Sequence, residues 1–173
     1  MNLMLKQDQG FTLIECMVTL VILTILLSVS IPSLSTVYAQ VRASLSIKEI
    51  KQSIQLARSY AISYGQRVTV CPLTETRCNS NWGNNISVFS DSGESNHIDG
   101  TDQLLFTIGP FDSRDFVQYN RRAIRFLPSG LASGTNGTLT YCPESLNSQY
   151  SAAIIVSQSG RSRFSNNKTI TCK

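Results

Sequence analysis

Two arginines set one residue apart near the C-terminus carry the clearest chemistry in this sequence. Gly160-Arg161-Ser162-Arg163 puts a turn glycine before two guanidinium groups, with Lys168 and Lys173 following. Alternate residues of a strand share a face, so Arg161 and Arg163 should point the same way. A guanidinium makes two parallel bonds to phosphate oxygens and keeps its charge, so the pair suits a polyanion. Charge along the chain agrees. Residues 71–115 carry two basic and seven acidic side chains, net −5, whereas 116–173 carry seven basic and one acidic, net +6. Such asymmetry points to one face that meets a polyanion. Arg121, Arg122 and Arg125 either extend that face or neutralise Asp112 and Asp115; nearness in sequence favours the second.

Other chemistries find less material. His97 is the single histidine, and neither a Cys–His pairing in a dry site nor a Gly-rich phosphate loop is evident. The expectation is a non-enzymatic chain with no catalytic residues, metal or cofactor. Asp91, Glu94, Asp99 and Asp102 lack the spacing of a calcium loop and read as a solvated segment. Cys71, Cys78, Cys142 and Cys172 allow three pairings. Pairing 71 with 78 and 142 with 172 closes each loop locally and is the expected one. Cys16 reads as an apolar residue.

The elements that must position these groups are legible from patterning. The chain has 173 residues, 42 % apolar and only 15 % charged, which excludes disorder and leaves room for one domain plus an appendage. Residues 1–10 form a short polar leader. From Cys16 to Val41 run 26 residues without a charge, long enough to cross a bilayer as one helix over 11–37. Glu15 lies almost at the start of that span, just before the charge-free run, and needs a partner. Pro32 should kink or open the helix. Beyond it, Ile47, Ile50, Ile54, Ala57, Ala61 and Tyr64 form a narrow apolar stripe. Lys48, Lys51, Gln55 and Arg58 lie on its flank, a set that reads first as a solvated face and second as a supporting nucleic-acid surface. Gly65 should end the helix.

After Gly65 the pattern changes to short strands divided by Gly, Asn, Asp and Ser. Eight are expected: 67–71, 86–90, 104–108, 116–119, 123–127, 138–142, 154–157 and 161–164. The fold class is therefore α+β, a long N-terminal helix packed on an antiparallel body. The globular domain spans 38–173 and includes the C-terminal half of the helix.

Gly10-Phe11-Thr12-Leu13-Ile14-Glu15, followed at once by the apolar run, resembles the type III signal of type IV pilins and type II secretion pseudopilins. The resemblance implies cleavage by the prepilin peptidase after Gly10 and N-methylation of Phe11. It also implies a role for Glu15 in assembly, paired with the Phe11 amine of a neighbouring subunit. Val70-Cys71-Pro72, Trp82-Gly83, Val88-Phe89-Ser90-Asp91 and Phe126-Leu127-Pro128-Ser129-Gly130 are similar to the GspH/FimT group of minor pilins. Gly160-Arg161-Ser162-Arg163 resembles the motif of its FimT branch. What this implies is a single-pass inner-membrane subunit with a periplasmic domain, extracellular once assembled with other pilins. Its Gly160, Arg161, Arg163, Lys168 and Lys173 would bind DNA without sequence preference during natural transformation. The alternative within the same resemblance is a structural minor pilin or pseudopilin that primes or caps a filament and touches no DNA.

Overall fold

A computed structural model describes residues 12–132, 134–167 and 169–173, and only the backbone of 29–33 and 35. Gly10, Phe11 and Lys168 lie outside the described residues. Two compact units divide the chain, Met1–Tyr38 and Ala39–Lys173.

Helix α1 spans Leu13–Tyr64. Its first turn is closed reciprocally. Thr12 Oγ1 accepts from the Glu15 backbone N–H at 3.3 Å, and Glu15 Oε2 accepts from the Thr12 N–H at 3.1 Å. Thr12-Leu13-Ile14-Glu15 is thus a capping box, which gives Glu15 a partner inside its own chain. Thr19, Thr24 and Ser28 each donate a hydroxyl to the carbonyl three residues back, so these three hydroxyls are satisfied among apolar neighbours. The helix runs on through Pro32 unbroken. Among the described residues no helix is long and apolar enough to cross a membrane. The 11–37 span read from sequence also draws on Phe11 and on side chains 29–33 and 35, which lie outside the description.

In the second unit α1 buries Ala39, Ala43, Ile47, Ile50, Ile54, Ala57 and Ala61, each 4 % exposed or less. These recur at intervals of three and four, as one helix face requires. Tyr64 departs from the expected stripe: it is 69 % exposed and stacks on Tyr60, because the helix ends there with Gly65 at φ +63°.

Ten strands follow: β1 Val68–Cys71, β2 Leu73–Thr74, β3 Arg77–Cys78, β4 Ile86–Ser90, β5 Leu104–Ile108, β6 Phe116–Tyr119, β7 Ile124–Phe126, β8 Gly137–Cys142, β9 Ala152–Val156 and β10 Ser162–Phe164. All eight expected strands exist; the two-residue strands β2 and β3 are too short to show a period. One sheet has the order β5-β4-β1-β7 and the other β10-β9-β8-β6, antiparallel throughout. Side chains from both sheets and from α1 share one core around Ile50, Ile54, Trp82, Phe126, Leu139 and Tyr141. β1 and β4 are buried on both faces, since Cys71, Cys78, Phe89 and Ala123 pack as a second cluster. Disulfides join Cys71 to Cys78 and Cys142 to Cys172. Cys16 is a free, exposed thiol.

Candidate nucleic-acid interface

β10 is an edge strand, paired only with β9. Arg163 sits in its middle and Arg161 just before it, both exposed. Ser162 and Phe164 turn the other way. Ser162 shares a recess with Gln55 and Arg58 of α1, and Lys51 Nζ stands 4.7 Å from the Phe164 ring centroid. By that alternation Arg163 faces outward, whereas Arg161, one residue before the strand, lines the same recess as Ser162, so the two arginines do not share one strand face as the sequence pattern suggested.

This places the motif beside the basic flank of α1. Lys48 lines a groove with Phe164, Lys51 covers the Phe164 ring, and Arg58 reaches the turn before β10. Arg58 Nε donates to Gly130 O at 3.0 Å and Nη2 to Ser159 O at 3.4 Å. Two glycines permit that approach. Gly160, at φ +76°, would place a Cβ 1.9 Å from Gly130 O and 2.8 Å from Arg58 Nε. Gly130, also at φ +76°, would place one 2.7 Å from Ile62 Cδ1. The glycines of two motifs distant in sequence therefore meet at one arginine; a side chain at Gly160 would run into the Gly130 carbonyl, and one at Gly130 would push on Ile62.

Among the described residues, no carboxylate lies within ion-pairing distance of Lys48, Lys51, Arg58, Arg161 or Arg163. Lys173 does not join this cluster. Its backbone N–H donates to Gln118 Oε1 at 2.9 Å, and its carbonyl accepts from Gln118 Nε2. Gln118 is on β6, the opposite edge of the sheet, three strand spacings or about 14 Å away. The Cys142–Cys172 bridge fixes the tail at that edge.

The acidic side is organised differently from expectation. Asp112 and Asp115 are neutralised by Arg42 and Arg114, not by Arg121, Arg122 or Arg125. Arg42 Nη1 is 2.8 Å from Asp112 Oδ2 and its Nη2 is 2.8 Å from Asp115 Oδ1. Hydrogen bonds from Arg114, and then the nearby Arg42, hold the Asp112 carboxyl well below its usual range. Tyr141 donates its hydroxyl to Asp115, whose side chain is wholly buried. Arg125 instead turns to Asp91 at 3.6 Å and to Asn96 Oδ1 at 2.8 Å. Asp91 is not a solvated loop residue: it is 0 % exposed and accepts from Thr69 Oγ1 and from the Asn96 N–H. Nearby, Glu94, His97 and Asp99 bring ligand-type atoms within 4.8 Å of one another. Arg77 takes both Glu94 oxygens, at 3.0 and 3.2 Å, so that cluster already has its cation.

Residues 46–160 match the family described as type II transport protein GspH, about two thirds of the chain. The chain belongs to the GspH family. Residues 5–31 match the prokaryotic N-terminal methylation motif, so this pilin carries the mark of a membrane-anchored periplasmic subunit processed by prepilin peptidase. The family and the motif imply assembly with other pilin subunits. Two crystal structures of the type IV minor pilin FimU from Pseudomonas aeruginosa PAO1 are similar in fold. One is 19 % identical with a TM-score of 0.60, covering 78 % of this chain and 94 % of that one. The other is 17 % identical with a TM-score of 0.58, covering 78 % and 99 %. No curated protein sequence matches the pilin.

Within this pilin the helix flank lies beside the motif, a neighbour that the sequence reading weighed only second. A signal was present: none of Lys48, Lys51 and Arg58 has Asp or Glu three or four residues away. Helical ion pairs form at those spacings, so these cations were never going to be neutralised along their own helix.

Proposed function

We propose that this chain is a minor pilin of the FimT kind that binds extracellular DNA through its basic surface during natural transformation. The observation that carries the reading is that Lys48, Lys51 and Arg58 of α1 lie beside the short segment that bears Arg161 and Arg163, Arg58 sharing a recess with Arg161 and the two lysines flanking Phe164, with no carboxylate among the described residues to pair them. Contacts of this kind go to phosphate, so binding is largely independent of base sequence. Lys168 belongs to the set by its place in the sequence, while Lys173 contributes from the far edge. One subunit holds DNA weakly, and several subunits or repeated encounters supply capture.

In the same reading, prepilin peptidase cuts between Gly10 and Phe11 and methylates Phe11. Residues 11–37 then anchor the subunit in the inner membrane, with 38–173 in the periplasm until assembly carries it outside. In the filament Glu15 exchanges its internal cap for the Phe11 amine of a neighbour.

DNA titration of the full-length chain in detergent micelles, at several salt concentrations and on unrelated duplexes, tests the central claim. The logarithm of affinity should fall with that of salt at a slope of about −3 to −4, as a few neutralised phosphates require. Absence of binding at low salt would leave the structural alternative, a pilin or pseudopilin that primes or caps a filament. Val41, Leu45, Leu56 and Ile62, all 47 % exposed or more on α1, favour filament packing in either case.

A further inference from the structure

The geometry points to a seat for one phosphate group in the recess between α1 and the turn that enters β10, with Arg58 as a ligand outside the arginine motif. The inference deepens the DNA-binding reading and rests on it for the identity of the phosphate's owner. Gln55, Arg58, Ser59, Gly160, Arg161 and Ser162 line a recess of about 300 Å³ that contains no carboxylate. Its donors are preorganised. Carbonyls of Gly130 and Ser159 hold Arg58 Nε and Nη2, which leaves Nη1 unbonded among the described residues and fixes the plane of the fork. A guanidinium held in this way loses little freedom when an anion arrives.

The second observation is independent of charge. Ser162 Oγ is buried and has no hydrogen-bond partner among the described residues. A buried hydroxyl without a partner costs stability unless a ligand or water meets it. Arginine nitrogens can only donate, and a hydroxyl can donate too, so the group that satisfies Arg58, Arg161 and Ser162 together is an acceptor with several oxygens. A phosphate has that character, and its negative charge answers two guanidinium groups that no described carboxylate meets. The close approach of Gly160 to Gly130 then acquires a purpose: it brings the backbone of the motif up to Arg58, so that one phosphate reaches both arginines.

The test uses the full-length chain in detergent micelles, isotope-labelled, with inorganic phosphate titrated against chloride at constant ionic strength. Phosphate should shift the amide signals of Gly160, Arg161 and Ser162, and Arg58→Gln should abolish those shifts. On DNA, Arg58→Gln should weaken binding by about tenfold and make the salt slope shallower by about 0.9, one phosphate contact. Arg58 also ties down Gly130 and Ser159, so Ser162→Ala serves as the variant that leaves that tether alone. Its expected loss is about threefold, with an unchanged amide spectrum elsewhere. Absent phosphate shifts, together with unchanged DNA binding in both variants, would overturn the seat while leaving the DNA reading intact. Phosphate shifts that need Arg58, in a chain that binds no DNA, would keep the seat and overturn its owner.

Discussion

The two charged regions of the globular unit solve opposite problems with the same residue type. On the acidic side, Arg42, Arg67, Arg77, Arg114 and Arg125 each meet a carboxylate, and Asp91 and Asp115 are driven wholly out of water as a result. At the α1–β10 seam, Arg58, Arg161 and Arg163 have no such partner among the described residues, and Arg58 is held by carbonyls instead. Arginine paired internally is structure; arginine fixed in place but left unpaired is available for an external anion. Substitutions should therefore separate stability from binding.

Asp115→Ala is the strongest way to probe the first region. It would take from Arg42, whose side chain is 12 % exposed, the buried one of its carboxylates, leaving it Asp112, and would remove the acceptor of the Tyr141 hydroxyl beside a buried void. Breaking a buried, hydrogen-bonded ion pair from one side costs about 3–5 kcal/mol. Thermal unfolding should drop accordingly, with the DNA salt slope of the still-folded protein unchanged. A Tm equal to that of the wild type would show that the network is dispensable.

Replacing Cys142 and Cys172 with Ser should cost about 2–4 kcal/mol through the loss of the closed loop. Because the bridge tethers the tail to the β6 edge and not to β10, the Arg161/Arg163 contacts should survive it. Folded double-serine protein with an unchanged salt slope is the expected outcome. Collapse of DNA binding alone would mean that the tail, rather than the seam, carries the phosphate contacts.

Arg161→Gln with Arg163→Gln is the mirror image. Both side chains are exposed and unpaired among the described residues, so stability should stay within about 0.5 kcal/mol. The salt slope should flatten by up to about 2, nearly equally on all sequences. Unchanged binding with the fold intact would remove the motif from the interface.

Sequence was most informative where a period exists. The 3.6-residue repeat placed Ile47, Ile50, Ile54, Ala57 and Ala61 in the core, and the strand pattern found every strand longer than two residues. It misplaced Tyr64 because periodicity carries no knowledge of where packing ends. Charge pairing was the least legible. Asp112 and Asp115 stand near Arg121 in sequence, yet they bind Arg42 about seventy residues away, since the fold and not chain distance sets proximity. Trp82 and Phe89, which carried much of the family likeness, are core residues 1 % exposed or less. They specify the fold and say little about what it binds. The capping box at Thr12 and Glu15 was readable and was overlooked, because the same residues also formed part of a processing signal.

Acid sharpens the comparison. Asp112 is held in its charged form by Arg114 and Arg42, so its folded pKa is depressed. A depressed carboxylate stabilises fully above the unfolded pKa of about 3.9, and its contribution is lost as pH falls through the folded value. Tm should thus be flat from about pH 7 to 5 and fall below about 4, with Asp112→Asn removing part of the slope. Arginines and lysines stay charged across that window, so DNA affinity at fixed salt should hold until the body unfolds. Affinity gained at pH 5, with Tm unchanged, would place a titrating carboxylate in the interface.

The smallest effect is expected at Arg121 and Arg122. They occupy the turn between β6 and β7, exposed, at the far edge of the second sheet from β10. No described carboxylate pairs with either, so Arg121→Gln with Arg122→Gln should leave stability within about 0.5 kcal/mol. Three strand spacings, about 14 Å, separate that edge from the motif, beyond the screening length of about 8 Å at physiological salt. A DNA segment seated on Arg161 and Arg163 therefore gains little from them, and the salt slope should change by less than about 0.5, under one phosphate. A slope change near 2, equal to that of the Arg161/Arg163 pair, would mean that DNA crosses the whole sheet and that Lys173 stands on its path. The interface would then be the sheet's width, and the α1–β10 seam only one of its borders.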